Sequence, residues 1–183
     1  MNSIEPLELK HFKEMHALES MYYDEQFIAP AIEAYHWYQQ YPNTTIALAN
    51  DAGVIVGFIN AFPIKKKVFT SIEAGTFNDA ELTVEHIVGL GHPEPLYMFL
   101  SCIVVHPTYR RKGITQHLLE AVVNLYKPVA HRCVEIITDN VTRDGEHFSM
   151  KYGFNRVRTS DHSSVIYKQS YASFVQAVER LMQ

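Results

Sequence analysis

The chain has 183 residues, a length that suits one domain with room for a sizeable core. Hydrophobic residues make up 47% and charged residues 20%, values that exclude wholesale disorder. The net charge of −4 argues against a nucleic-acid binder.

No apolar run reaches the length of about eighteen residues that a membrane helix needs, and the opening MNSIEPLELK has no apolar signal region. No membrane partner and a cytoplasmic location are therefore expected. The two cysteines, Cys102 and Cys133, fall in predicted strands and read as small buried residues of a reducing compartment, not a disulfide framework. Histidines such as His16, His36, His86 and His92 are scattered without zinc spacing, so no metal site is expected.

Ile4–Lys10 alternates and predicts a first strand. Phe12, Met15, Leu18, Met21 and Tyr22 recur at helical spacing over His11–Tyr23. Pro30 can open a second helix that runs to Tyr41-Pro42. Its aromatic group, Tyr35, Trp37, Tyr38 and Tyr41, reads first as packing. Thr44–Ala49 and Val54–Phe62, joined by Asn50-Asp51-Ala52-Gly53, predict a hairpin. Lys65-Lys66-Lys67 reads as a solvated loop.

The connection from Lys65 to Pro95 is longer than neighbouring strands need. Val68–Ala74 and Val84–Val88 predict short helices within it, the second capped by Thr83. It is either cover for the sheet or a wall of an acceptor pocket, and its acids Glu73, Asp79, Glu81, Glu85 and Glu94 would suit a cationic acceptor.

Leu96–Val105 is an apolar run broken only by Ser101 and predicts a strand buried on both faces. His106-Pro107 stops it, because proline cannot donate to a ladder. After the basic turn Arg110-Arg111-Lys112-Gly113, the residues Ile114, Leu118, Ala121, Val122 and Leu125 share one helical face, ending at Lys127-Pro128. His131–Thr138 predicts a fifth strand ended by Asp139-Asn140, and Thr142–Tyr152 a helix. Phe154–Arg158 and Ser163–Lys168 make a final strand pair. Tyr171–Met182 is a terminal amphipathic helix that either packs on the sheet or crosses to a partner subunit, which leaves monomer and homodimer open.

A strand, a basic glycine turn and a helix make a device for holding a phosphorylated ligand. The first-turn N–H groups of a helix lack intrahelical partners, and the dipole adds partial positive charge there. Gly113 lets a pyrophosphate approach the backbone, and Arg110, Arg111 and Lys112 add charge around it. The bland alternative is an ordinary crossover with a solvated basic turn.

At these residues a resemblance becomes plain. Arg110, Arg111, Lys112, Gly113, Ile114 and Thr115, following Val105-His106-Pro107, resemble the acetyl-CoA motif (Q/R)-x-x-G-x-(G/A) of the GNAT superfamily of N-acetyltransferases. Thr115 departs from the usual glycine or alanine. Lys151-Tyr152-Gly153-Phe154 resembles the K-x-G-F of the same family. No G-x-G-x-x-G occurs, which disfavours a dinucleotide-binding fold.

The resemblance implies an α/β fold with a mixed, largely antiparallel central sheet and helices on both faces. It would form a single domain over 1–183, elaborated at about 65–95. Acetyl-CoA would be the cosubstrate, with its pantetheine arm inserted between splayed fourth and fifth strands and paired to backbone near Ile103, Val104 and Val105. Asn140 is a further cofactor contact or a loop-capping asparagine. The helix pair before the hairpin would line the acceptor side, turning one aromatic toward substrate.

The implied acceptor is a small-molecule or peptide primary amine, which needs a base because an alkylamine of pKa about 10.4 is almost wholly protonated at neutral pH. Ser101-Cys102 stands where many relatives place an acid, so the base pool is Glu73, Glu81, Glu85 and Glu94. Ser149 occupies the position of a family tyrosine that protonates the departing thiolate, and Tyr152 is the nearby alternative, with its ring read mainly as packing. Those two are the catalytic candidates. A noncatalytic acyl-CoA-binding or regulatory module is the first rival reading, and an interaction domain using the aromatic and terminal helices the second.

Overall fold

The computed structural model describes residues 2–181, so Met182 of the expected terminal helix lies outside the described residues. The opening departs from expectation. Asn2–Ser3 (β1) pairs with Ala49 and Leu48, the Ile4 N–H adds one bond to Ala47 O at 3.1 Å, and Ile4–Lys10 is not a strand. Pro6 has no amide to give a ladder, and Leu9 already begins α1 (Leu9–Glu19). The Glu8 N–H donates to His11 Nδ1 at 2.9 Å and closes the first turn. Phe12, Met15 and Leu18 bury the inner face of α1, as their spacing predicts.

Pro30 caps α2 (Ala31–Gln40) rather than entering it. The hairpin is β2 (Thr45–Ala49) and β3 (Ile55–Ile64). Asn50 Oδ1 accepts from the amides of Ala52 and Val54, both at 3.0 Å, and so sets the turn. The long connection holds α3 (Lys66–Ala74), whereas the expected helix over Val84–Val88 is a single 3₁₀ turn, Val84–His86. Arg132 ties the end of this connection down by donating to the main-chain oxygens of Leu90 and His92.

β4 (Leu96–Val105) has the predicted bounds. α4 (Ile114–Tyr126) then tightens into a 3₁₀ segment, Lys127–Arg132. β5 (Cys133–Asn140) runs through Asp139-Asn140 rather than ending before them. α5 (Arg143–Lys151) starts where the Thr142 hydroxyl accepts from the Gly145 N–H at 3.1 Å. β6 (Asn155–Thr159), β7 (Val165–Ser170) and α6 (Tyr171–Arg180) complete the chain.

The seven strands lie in the order β1-β2-β3-β4-β5-β7-β6. Only β4 and β5 pair in parallel among the described residues, so the sheet is mixed and largely antiparallel, as expected. On one face, α1 to α3 cover Phe58, Phe62, Phe99, Val104 and Ile137. On the other, α4 to α6 cover Val56, Met98, Leu100 and Ile136. The terminal helix packs on the sheet: Tyr171, Phe174 and Val178 are buried against β5 and α4. No helix among the described residues is long and apolar enough to cross a membrane.

Candidate active site

The site begins with a defect in the sheet. β4 pairs with β5 from Leu96↔Cys133 to Phe99↔Ile137, and then the two strands separate although each continues. On its other side β4 stays paired to β3, but the register steps from Ala61↔Leu100 to Asn60↔Cys102, which makes Ser101 an extra, bulged residue. The bulge and the separation coincide.

The main-chain groups of β4 beyond the bulge divide by parity. The His106 N–H donates to Val56 O at 2.9 Å, so alternation turns the Val104 amide toward β3 and the groups of Ile103 and Val105 toward the gap. The Tyr22 hydroxyl donates to Val105 O at 3.1 Å from that open side. Ile103 and Val105 therefore carry unladdered backbone, while Val104 contributes a buried side chain to the α1 side.

A cavity of about 660 Å³ occupies the gap and passes through the sheet. At the α4 end it is lined by Arg110, Arg111, Gly113, Ile114 and Thr115. The Ile114 side chain itself is buried in the core, so only its backbone serves the turn. Gly113 has φ +77°, a left-handed conformation that favours glycine, and Arg111 has φ +63°. The first turn of α4 thus opens onto the cavity with its amides and the positive end of its dipole. Lys112 lies outside the lining, its ammonium 4.8 Å from the centre of the Tyr109 ring. Arg110 sits 4.7 Å over the Tyr22 ring and pairs with Asp144 at 3.7 Å, at the mouth.

Asn140 and Tyr152 line the same cavity, and Ser149 does not. Ser149 is fully buried beneath Asn140, whose Nδ2 donates to its Oγ at 2.8 Å. The Tyr152 ring packs on Phe148, with centroids 4.7 Å apart, but its buried hydroxyl has no hydrogen-bond partner. Burial pushes that hydroxyl above the ordinary phenol range.

At the α1–α2 end the lining includes Glu19, Tyr23, Trp37, Cys102, Asp79 and Asp139. The expected pool of bases is not here. Glu73 is paired to Lys168 at 2.5 Å, and Glu81, Glu85 and Glu94 are exposed and off the cavity. Sequence reasoning missed Glu19, which closes an amphipathic helix and carries no signal of burial on its own. Burial pushes its carboxyl up to about 7, against the opposing effect of a hydrogen bond with the Cys102 thiol. Burial likewise drives the Cys102 thiol well above its usual range, helped by the charge of Glu19. Of the long connection, Asp79 and Leu82 reach the cavity, and α2 turns Trp37 toward it.

The sequence signature of the acetyltransferase (GNAT) family matches residues 12–154. The chain belongs to the GNAT family. Solved structures agree on the GNAT fold. A GNAT-like decarboxylase, GphF, in complex with isobutyryl-CoA is 16% identical with TM-score 0.68, over 93% of this chain and 100% of that one. A chain of the NatC complex bound to Gag peptide and CoA is 16% identical with TM-score 0.58, over 92% and 96%. The ribosomal-protein-S18-alanine N-acetyltransferase from Escherichia coli is 12% identical with TM-score 0.56, over 93% and 94%. No curated protein matches. These GNAT neighbours span more than one chemistry, a decarboxylase and an N-acetyltransferase among them.

Proposed function

We propose that the protein is an N-acetyltransferase that moves an acetyl group from acetyl-CoA to a primary amine. One observation carries the reading. The cavity joins an anion-binding helix end, a stretch of unladdered backbone and a carboxylate shifted into the neutral range, in that order through the sheet.

The pyrophosphate sits on the first turn of α4, with Arg110 and Arg111 beside it. The pantetheine arm runs along Ile103 and Val105 as an added strand. On the far side Glu19 takes a proton from the acceptor ammonium, and the freed nitrogen attacks the thioester carbonyl. A gap-facing N–H of β4 holds the developing oxyanion. The C–S bond then breaks as the unpartnered Tyr152 hydroxyl gives its proton to the departing thiolate. The second proton that the nitrogen sheds on becoming an amide passes to water, from which Tyr152 regains its own. Cys102 and Cys133 are both free thiols, which suits a reducing cytoplasm.

The test is thiol release from acetyl-CoA with a panel of amines, together with mass analysis of the acceptor. Amide product that depends on Glu19 supports the reading. Tight CoA binding without transfer to any amine would leave a binding module instead.

A further inference from the structure

Six buried side-chain polar atoms among the described residues lack a hydrogen-bond partner: Trp37 Nε1, Thr44 Oγ1, Asp79 Oδ1, Asp139 Oδ1, Tyr152 Oη and Tyr171 Oη. Four of them, on Trp37, Asp79, Asp139 and Tyr152, belong to residues that line one cavity. Tyr152 has a use in the reaction proposed above. The other three line that cavity from α2, the long connection and β5, and nothing in that reaction uses them.

Buried polar groups in folded proteins are satisfied with few exceptions, and an unpaired buried carboxylate is among the costliest. Two carboxyls within electrostatic reach of one another compound that cost: burial first, and then the charge of Asp139, raises Asp79. Asp139 has the Ser164 hydroxyl on one side and His162 nearby, yet its Oδ1 remains without a partner. Asp79 comes from the long connection and Asp139 from the end of β5, so separate elements deliver the two acids to one place. Trp37 is 6% exposed and brings an unpartnered indole N–H, a donor, to the cavity that these two acids line. A ligand that satisfies all three offers positive charge and, next to it, an oxygen that can accept.

We infer that the acceptor is a small dicationic amine: its reacting nitrogen lies at Glu19, its second cationic nitrogen between Asp79 and Asp139, and a neighbouring hydroxyl or carbonyl oxygen accepts from Trp37. The inference rests on the acetyl-transfer reading and narrows its substrate class. Diamines, dibasic amino-acid amides and aminocyclitols share the two cationic nitrogens. They differ in whether they carry the oxygen.

Binding is measured by calorimetry with CoA present, so that the result does not depend on turnover. The probes are putrescine against n-butylamine, lysine amide against norleucine amide, and 2-deoxystreptamine against cyclohexylamine. At least one dication binds about tenfold or more tightly than its monoamine, and the ratio falls to within about twofold in both Asp79→Asn and Asp139→Asn. Trp37→Phe weakens lysine amide or 2-deoxystreptamine while leaving putrescine unchanged, which separates the oxygen-bearing class from plain diamines.

Removing an uncompensated buried carboxyl does not threaten the fold, and unchanged cooperative thermal unfolding of both aspartate variants verifies that. Equal affinity for every dication and its monoamine overturns the inference, as does a preference that survives both substitutions. Acetyl transfer without the preference leaves the acetyltransferase reading standing and this one fallen. The preference without transfer does the reverse.

Discussion

Asn140 Nδ2 donates to Ser149 Oγ at 2.8 Å, and both residues are buried at the corner between β5 and α5. This contact makes Ser149 a support for a cavity-lining amide, with no face of its own toward a thioester. Ser149→Ala leaves the Asn140 donor unpaired, a stability cost of about 1–3 kcal/mol, with kcat reduced only about two- to tenfold. Tyr152→Phe removes a hydroxyl that has no protein partner, so stability holds while kcat falls about a hundredfold. Thermal unfolding and kcat at saturating substrates check both. A larger kcat loss in Ser149→Ala than in Tyr152→Phe would route the proton through Ser149.

Glu19 sets the pH profile. Its carboxyl is raised from 4.5 to about 7, so kcat rises with pH below about 7 and levels above it. Tyr23, Cys102, Asp79, Asp139, Arg110 and Asp144 share the cavity, and of these Cys102 acts on Glu19 most directly. Glu19→Gln lowers kcat by about 10²–10⁴-fold and abolishes that inflection. Stability moves oppositely. A raised carboxyl favours the folded state fully below pH 4.5, and that contribution is lost as pH rises through about 7. Glu19→Gln therefore raises the Tm at pH 8 relative to wild type and does not at pH 4. A Tm gain equal at both pH values would rule out titration of Glu19 as the cause.

Gly113 separates backbone from charge. An added Cβ meets only Gln116 Oε1 at 3.5 Å and His117 ring atoms at 3.6 Å, so space is ordinary there and φ +77° is the constraint. Gly113→Ala costs about 1–2 kcal/mol of stability from the left-handed backbone and weakens CoA a few-fold. Gly113→Asp carries the same strain and sets a carboxylate against the pyrophosphate, so its Kd rises well over tenfold. Calorimetry with CoA on both folded variants reads the difference. Equal Kd values would mean that no anion approaches this turn.

How much of this was legible in advance varied with the kind of signal. β4 and α4 were readable almost to the residue, because a strand buried on both faces is continuously apolar and a sheet-packed helix has one wide apolar stripe. The first strand failed because alternation over Ile4–Lys10 mimics a ladder that Pro6 cannot support. The turn that opens α4 onto the cavity was legible because its glycine and basic residues are contiguous in sequence. The opposite end was legible only at Asp79. Asp79 was among the acids expected to suit a cationic acceptor, whereas Glu19, Cys102 and Asp139 come from three further elements and each alone reads as a helix end, a core thiol or a strand terminus. The acids that did look suitable, Glu73, Glu81, Glu85 and Glu94, lie elsewhere, so alanine at those positions leaves acceptor kinetics unchanged.

Gly57 couples the packing of the sheet to the helix end proposed to hold CoA. A Cβ there would stand 2.8 Å from Ile114 Cγ2 and 3.0 Å from Val104 O. Ile114 is the first residue of α4, so the helix end that faces the cavity rests directly on bare backbone of β3. Gly57→Ala overfills that contact at a cost of about 1–3 kcal/mol and pushes the N-terminal turn away from the sheet. CoA affinity falls with it, although Gly57 does not line the cavity. Shortening the opposing side chain relieves the clash. In Gly57→Ala/Ile114→Ala the total destabilisation is smaller than the sum of the single losses by about 0.5–3 kcal/mol, and CoA affinity partly recovers. Denaturant unfolding and calorimetry on the four proteins of the cycle provide both quantities. Additive losses with no recovery of binding would show that the Gly57–Ile114 contact does not position the turn.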